Sequence, residues 1–336
     1  MECPSWVKNM YNVFFLYFCP LKSYSRIMST NSNTGSLNFH RLSLSDMDSV
    51  RGVTLSAGRR NCNFTFANLI GWQFWFKTEV CLYQDAVLLR FDLDSRRAYM
   101  VCSATPPSAR LLELLCHDAS FKGSDLLLMG LEDDYAAHIQ QLFPQNAVVT
   151  PRRNQYDYLY LRQELAEVKG KNLKAKRNHI NKFISEHPDF RYVPLAPGLF
   201  DECRALEKQW LSEVGRDDIA YNITTDAEMR AMENVFCHWE QLDMYGGCIY
   251  VGDRMVAFTY GSPVTHDTLD VCVEKADRRI DGAFNIINQQ FAAHLPEQFV
   301  YLNREEDMGL EGLRKSKLSY HPHLLITYNN VEIKCQ

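Results

Sequence analysis

Residues 248–303 read CIYVGDRMVAFTYGSPVTHDTLDVCVEKADRRIDGAFNIINQQFAAHLPEQFVYLN, and the expected fold follows from their pattern. Runs rich in β-branched and aromatic residues predict strands at 248–251, 255–261 and 268–274. Gly252, Asp253 and Arg254 supply the first hairpin turn. The pattern then predicts a helix at 282–295 and a strand at 299–303. A meander that continues through a helix into another strand favours a mixed, mostly antiparallel sheet.

Similar elements flank this stretch on both sides. A helix at 309–317 and a strand at 324–328 follow it, and a helix at 171–186, a strand at 190–195 and helices at 197–214 and 224–242 precede it. In the first half, strands are predicted at 37–40, 79–83, 86–91, 98–102, 125–131 and 155–161, and helices at 106–117 and 132–143. We therefore predict an α/β (α+β) protein with domains at residues 37–165 and 166–336, preceded by a flexible or extension segment at 1–36.

The composition is that of an ordinary globular protein. Of the 336 residues, 46% are hydrophobic and 23% are charged, which excludes a disordered chain, a coiled coil and a collagen-like fibre. The formal net charge is −5, so any contact with nucleic acid requires a local basic patch. No uncharged apolar stretch reaches the length of about 18 residues that a membrane-spanning helix needs.

The cysteines and the N-terminus indicate the compartment. The 11 cysteines are scattered and form no CxxC pair, which is typical of free thiols in a reducing cytoplasm. The apolar run at residues 10–19 is preceded by one lysine, Lys8, and no small-residue cleavage site follows it. We therefore expect a cytoplasmic protein, and either Met1 or Met28 as the start.

Two blocks of sequence carry a family resemblance: KNLKAKRNHINKF at residues 171–183 and YLNREEDMGLEGLRKSK at residues 301–317. Both resemble bacterial proteins similar to the C-terminal domain of phosphatidylglycerol lysyltransferase, over about residues 38–330. The resemblance implies two tandem GNAT-like acyltransferase domains, related to the peptidoglycan-bridge enzymes that take amino acids from aminoacyl-tRNA. It also implies a small-molecule or lipid-headgroup acceptor, although the chain lacks the many membrane spans of the full-length lipid synthases.

The first block is basic. Six cations lie within 14 residues, and no acid occurs between Glu167 and Glu186. Such a helix could hold the phosphates of a tRNA, and the residues assigned to this role are Lys171, Lys174, Lys176, Arg177 and Asn178. The alternative is a solvated helix face on which Arg177 and Asn178 cap internal groups.

The segment RRIDGAFN at residues 278–285 joins a strand to a helix. By resemblance, Arg279 and Gly282 occupy positions of the GNAT donor loop, whose backbone binds a pyrophosphate at a helix N-terminus. Phe284 stands where a small residue is expected, and Asp281 would repel phosphate. These departures count against acyl-coenzyme A as donor, but the aminoacyl-tRNA-dependent relatives depart here as well, so aminoacyl-tRNA and acyl-coenzyme A both stay open as donors. The alternative is an ordinary helix that starts at a glycine.

The second block places Asn303, Glu305 and Glu306 at the end of a strand, where the GNAT cleft opens. Asn303 is assigned to the donor side of the cleft, and Glu305 or Glu306 would accept the proton of an attacking amine. Helix N-capping by Asp307 is the alternative use of this acidic segment. No metal site is predicted, because His321 and His323 lack a third ligand nearby in the sequence.

The combined hypothesis is an acyl- or aminoacyl-transferase acting on an amine or hydroxyl, without a covalent enzyme intermediate. Motifs for a nucleophile elbow or a nucleotide-binding loop are absent from the sequence. Two alternatives remain open: a degenerate GNAT pair that binds a ligand without chemistry, and a basic RNA-binding module.

Overall fold

The computed structural model describes residues 36–93, 96–213 and 219–335. The strands are β1 (His40–Arg41), β2 (Glu79–Tyr83), β3 (Ala86–Leu93), β4 (Arg96–Cys102), β5 (Leu126–Leu131), β6 (Ala147–Pro151), β7 (Asp157–Leu161), β8 (Arg191–Pro194), β9 (Tyr245–Val251), β10 (Arg254–Thr265), β11 (Thr268–Ala276), β12 (Tyr301–Asn303), β13 (Leu324–Ile326) and β14 (Asn329–Ile333). The helices are α1 (Met47–Ala57), α2 (Phe66–Gly71), α3 (Gln73–Phe76), α4 (Ala109–Ser120), α5 (Asp133–Leu142), α6 (Arg162–Glu167), α7 (Lys174–Glu186), α8 (Phe200–Glu213), α9 (Ile219–Cys237), α10 (Ala283–His294) and α11 (Glu311–Leu318). Residues 1–35, with both candidate starts and the apolar run, lie outside these ranges, as does Val214 at the end of a predicted helix.

The strands form two seven-stranded sheets. Their orders are β1-β2-β3-β4-β5-β14-β6 and β13-β7-β12-β11-β10-β9-β8. Within the described ranges, each sheet contains one parallel pair, β4–β5 in the first and β11–β12 in the second. The predicted class of two mixed, mostly antiparallel sheets is therefore confirmed.

Both parallel pairs diverge after a short paired stretch. The pairing of β4 with β5 covers Ala98↔Leu127 and Tyr99↔Leu128. The pairing of β11 with β12 runs from Thr268↔Tyr301 to Asp270↔Asn303, where β12 ends although β11 continues to Ala276. Each divergence leaves an opening at one edge of its sheet.

The two sheets exchange strands across the expected boundary at residue 165. Strand β7 lies between β12 and β13 in the second sheet, and β14 lies between β5 and β6 in the first. The sequence predicted one last strand at 324–328, whereas the chain forms β13 and then β14. The side chain of Asn329 helps to hold β14 in place, since its amide donates to Leu131 O at 3.0 Å and to Asp133 Oδ1 at 2.8 Å.

The hydrophobic core has three parts. Helices α4 and α5 cover the outer face of the first sheet, and α7 and α10 cover the outer face of the second. The inner faces of both sheets share one core with α2, α8 and α9. Among the described residues, no helix combines the length and apolarity needed to cross a membrane.

Candidate active site

A cavity of about 260 Å³ lies in the shared core, at the divergence of both parallel pairs. The first sheet contributes Phe91, Met100 and Met129, and the second contributes Tyr260, Cys272 and Val273. Aromatic side chains of the α2–α3 segment and small or aliphatic side chains of α9 complete the wall: Trp72, Trp75, Phe76, Ala227, Ala231, Met232 and Val235. Aromatic residues of 64–76 therefore form part of the wall of a space between the two sheets.

Two predicted site residues, Glu305 and Glu306, form the polar end of this cavity. They follow β12 at the point where it leaves β11. Glu305 has a φ of +55°, a conformation that non-glycine residues rarely adopt. The main-chain N–H of Glu305 donates to Asn303 Oδ1 at 2.7 Å, so Asn303 holds this turn. Strain of this kind concentrates at functional sites.

Two further acids, Asp157 and Asp270, lie behind the glutamates. The amide of Asn303 donates to Asp157 Oδ2 at 2.8 Å. The amide of Asn68 bridges Asp270 Oδ2 at 2.9 Å and Glu305 Oε1 at 3.0 Å. We call Asp157, Asp270, Glu305 and Glu306 the carboxyl cluster; it draws residues from β7, β11 and the turn after β12.

Burial dominates the electrostatics of the carboxyl cluster. Loss of solvation raises the pKa of Asp157 and raises the pKa of Asp270 and Glu305 far above their usual range. Burial, with the nearby charge of Asp157, raises the pKa of Glu306 to about 7. A carboxyl group with a pKa near 7 is suited to exchange a proton at neutral pH.

The cation beside the carboxyl cluster is Lys317 of α11. Its ammonium donates to the main-chain oxygens of Arg304, at 2.6 Å, and of Glu306. Burial lowers the pKa of Lys317, and the adjacent acids oppose that shift. The charge of Lys317 therefore acts on Glu305, Glu306 and Asp157, while its hydrogen bonds go to the main chain.

Asp307, the neighbour of Glu306, has a different environment. Its carboxylate accepts hydrogen bonds from Arg314 at 2.8 and 2.9 Å, Tyr158 at 2.6 Å and Arg153 at 3.1 Å. Burial alone would raise the pKa of Asp307, but these hydrogen bonds outweigh burial and lower the pKa to about 2. Leu310 occupies the N-cap position of α11, so Asp307 is a structural anion and does not cap that helix.

The basic block forms α7, on the other face of the second sheet from the cavity. Lys171, Lys174 and Asn178 are exposed. Arg177 Nη1 donates to Val168 O at 2.7 Å and to Gly170 O at 3.1 Å, and so caps internal groups. The ammonium of Lys176 lies 4.3 Å from the centre of the Tyr320 ring.

The start of α10, where the donor loop was expected, is covered by α7. Gly282 is the N-cap residue with φ +82°, and a Cβ there would lie 2.5 Å from the main-chain oxygen of His179. Asp281 accepts hydrogen bonds from His179 at 2.9 Å and from Lys182 at 2.8 Å. Arg279 donates to Asp277 at 2.9 and 2.7 Å. The structure thus brings Asn303, Glu305 and Glu306 together, and places Arg279, Gly282 and the basic residues elsewhere.

Cys62, Asp157 and Glu306 offer ligand-type atoms within 4.8 Å of one another. The thiol of Cys62 donates to Asp157 Oδ1 at 3.4 Å and to Glu306 Oε2 at 3.9 Å. Burial raises the pKa of all three groups, whereas metal ligation requires deprotonated ligands. This donor set favours hydrogen bonding within the cluster, and the absence of a metal stays a prediction.

Sequence reasoning missed Asn68, Asp157, Asp270 and Lys317. A signal existed for the two aspartates, because each is an acid within a predicted strand of otherwise apolar character. Nothing local marks Asn68 or Lys317, since an amide and a lysine are common on helix surfaces.

Comparisons with known proteins place the fold in a family. Residues 56–329 match the family described as phosphatidylglycerol lysyltransferase, C-terminal. A conserved protein of unknown function from Bacteroides thetaiotaomicron is 36% identical, with a TM-score of 0.83 over 89% of this chain and 100% of that chain. L-PGS from Bacillus licheniformis is 11% identical, with a TM-score of 0.55 over 77% of this chain and 85% of that one. The C-terminal domain (DUF2156) from Agrobacterium fabrum is also 11% identical, with a TM-score of 0.57 over 86% and 92%. The last two likenesses concern the fold alone.

An uncharacterized protein of Mycoplasmoides gallisepticum is 23% identical over 182 residues, which are 53% of this chain. The match spans 56% of the length of that relative. Because the family model covers most of the chain, the family resemblance that the basic and acidic blocks indicated is confirmed. The chain belongs to the family of the phosphatidylglycerol lysyltransferase C-terminal domain.

Proposed function

We propose that this protein is an acyl- or aminoacyl-transferase whose reaction takes place at the carboxyl cluster. The observation that carries the proposal is the position of Glu305 and Glu306 at the polar end of the cavity, where β11 and β12 diverge. The family and the fold support the same class of reaction. An acceptor amine or hydroxyl of a small molecule or lipid headgroup would enter this cleft.

Glu306 is the better candidate for the proton acceptor. In the proposed step, the acceptor nitrogen or oxygen bonds to the donor's carbonyl carbon, and Glu306 takes the proton that it loses. The ester bond to the donor's ribose breaks, and Glu306 passes the proton on to the leaving ribose oxygen, which becomes a hydroxyl group. The pKa of Glu306, raised to about 7, fits a group that must accept and release a proton at neutral pH.

A direct transfer also agrees with the state of the nearby thiols. Burial raises the pKa of Cys62 and of Cys272 well above the usual range. Since a thiolate is the nucleophilic form of cysteine, neither side chain is activated for a covalent intermediate.

The proposed donor is an aminoacyl-tRNA. The exposed Lys171 and Lys174 would contact its phosphates, because accessible cations neutralise phosphates and thereby release the counterions condensed on the nucleic acid. Helix α7 covers the N-terminus of α10, where a coenzyme A pyrophosphate would otherwise be expected to bind. The geometry therefore favours aminoacyl-tRNA over acyl-coenzyme A.

The test is transfer from a mixed pool of labelled aminoacyl-tRNA to amine and lipid-headgroup acceptors. We expect Glu306→Gln, or Glu305→Gln if that residue is the base, to reduce turnover by about 10²–10⁴ and to leave tRNA binding intact. Glu297→Gln, an exposed change outside the cleft, should leave turnover unchanged. Full turnover in both cleft variants would contradict the proposal. Tight tRNA binding without turnover in the wild type would favour the RNA-binding alternative.

A further inference from the structure

We infer that the cavity binds a small organic ammonium that also carries an aromatic ring or an apolar group of similar size. This inference rests on the proposed function for its chemistry, since the ammonium would belong either to the transferred aminoacyl group or to an amine acceptor. What the cavity binds can nevertheless be measured without turnover.

The volume limits the size of the ligand. Pockets for drug-sized molecules span about 300–1,000 Å³. At about 260 Å³, this cavity suits one large side chain or a small arylalkylamine. A nucleotide or a whole coenzyme A would not fit inside it.

The walls select for an apolar body. Trp72, Trp75 and Tyr260 present aromatic faces, and Met129 and Met232 add adaptable aliphatic surface. Burying an apolar side chain against such walls contributes about 25 cal/mol per Å² of surface removed from water. A flexible diamine without a ring would gain less of this energy, and it would have to bury its second ammonium against apolar walls.

The charges select for a cation. Glu305 and Glu306 line the cavity, and Asp157 and Asp270 lie directly behind them, whereas Lys317 binds main-chain oxygens. Glu228 also lines the cavity, but its carboxylate is 2.8 Å from Lys275. Burial favours the protonated form of these carboxyl groups. A ligand ammonium beside them would stabilise the ionised form by opposite charge, whereas a ligand carboxylate or phosphate would destabilise it.

The experiment compares four probes by calorimetry and by the fluorescence of the cavity tryptophans. Phenethylamine and phenylalaninamide carry both an ammonium and a ring, 3-phenylpropionate carries a ring and a negative charge, and 1,5-diaminopentane carries ammonium groups without a ring. We expect the two ring-bearing amines to bind at least tenfold more tightly than the other two probes. Equal or tighter binding of 3-phenylpropionate or 1,5-diaminopentane would overturn the inference, as would no binding of any probe.

Two variants separate the charge from the walls. Glu305→Gln should weaken phenethylamine binding at least tenfold and have little effect on the neutral 2-phenylethanol. Met129→Trp should fill the cavity and block both ligands. If Met129→Trp fails to fold, the inference is tested by Glu305→Gln alone. Glu297→Gln is the matched surface control. Unchanged phenethylamine affinity in Glu305→Gln would contradict the inference.

The two amines distinguish the source of the ligand. If phenylalaninamide binds as tightly as phenethylamine, the cavity accepts an aminoacyl group; if phenethylamine binds more tightly and becomes acylated, the cavity is the acceptor site. Binding of these amines without transfer would contradict the proposed function alone. Transfer by a protein that binds neither amine would contradict this inference alone.

Discussion

At the scale of the residue, two adjacent acids show how environment decides protonation. Glu306 lies among other buried carboxyl groups, and its pKa is raised to about 7. Asp307 receives hydrogen bonds from Arg314, Arg153 and Tyr158, and its pKa is lowered to about 2. Their contributions to stability must therefore change in opposite directions with pH.

For Glu306, we expect the free energy of unfolding to fall as the pH rises from about 5 to 8. The folded state keeps the proton of Glu306 up to about pH 7, whereas the unfolded chain loses it near 4.5, so rising pH favours unfolding. A shift of this size corresponds to on the order of 3 kcal/mol. Urea denaturation across the pH range should show a shallower decline in Glu306→Gln. Some slope should remain, since burial also raises the pKa of Glu207 to about 7. Identical slopes in the two proteins would contradict the assigned pKa.

For Asp307, we expect Asp307→Asn to destabilise the fold by about 2–3 kcal/mol at pH 7, because the charge that accepts the arginine hydrogen bonds is lost. The wild type loses this advantage as the pH falls from about 4 towards 2, where Asp307 is protonated in the folded state. The difference in urea midpoint between the two proteins should therefore shrink over that interval. A constant difference down to pH 2 would mean that packing, not charge, explains the loss.

At the scale of the element, the basic residues of α7 and of the turn before it differ in their contacts. Arg177 bonds to the main chain of the preceding loop, whereas Lys171 and Lys174 project into solvent. We expect Lys171→Gln with Lys174→Gln to lower the log–log salt slope of tRNA binding by about 0.7–0.9 per lost contact, without a change in melting temperature. Arg177→Gln should instead lower the melting temperature.

Filter binding across a salt series, beside melting curves, measures both effects. Lys208→Gln, which removes an exposed charge on α8, is the matched control and should change the slope less than the double variant. A wild-type affinity for tRNA no higher than that of a charge-matched protein would leave α7 with its structural function only.

At the scale of the whole molecule, the exchange of β7 and β14 makes each sheet depend on the other half of the chain. Val331 of β14 is fully buried between β5 and β6. We expect Val331→Asp to destabilise the protein by more than about 3 kcal/mol, because it buries an unpaired charge. Both sheets should unfold in one transition in circular dichroism and tryptophan fluorescence. The exposed neighbour Glu332→Gln should cost less than about 1 kcal/mol. Separate transitions for the two sheets in the wild type would contradict this coupling.

Elements with strong local patterns could be predicted from the amino-acid sequence. The meander of β9, β10 and β11 and the following helix are set by side-chain periodicity and turn residues, which act over a few positions. The acidic segment after β12 was located for the same reason, as it directly follows a predicted strand. Helix ends were predicted less well: the basic helix begins at Lys174 and not at residue 171, since the end of a helix depends on capping contacts.

The strand exchange and the carboxyl cluster, in contrast, depend on contacts between distant parts of the chain. The pairing of β14 with β5, the bridge from Asn68 to Asp270 and the bond from Cys62 to Asp157 join residues far apart in the chain. Periodicity shows which face of a strand is apolar, but it does not identify the strand's neighbours in the sheet. An acid in a strand likewise becomes part of a site only when folding brings other acids, a polar amide and a cavity around it.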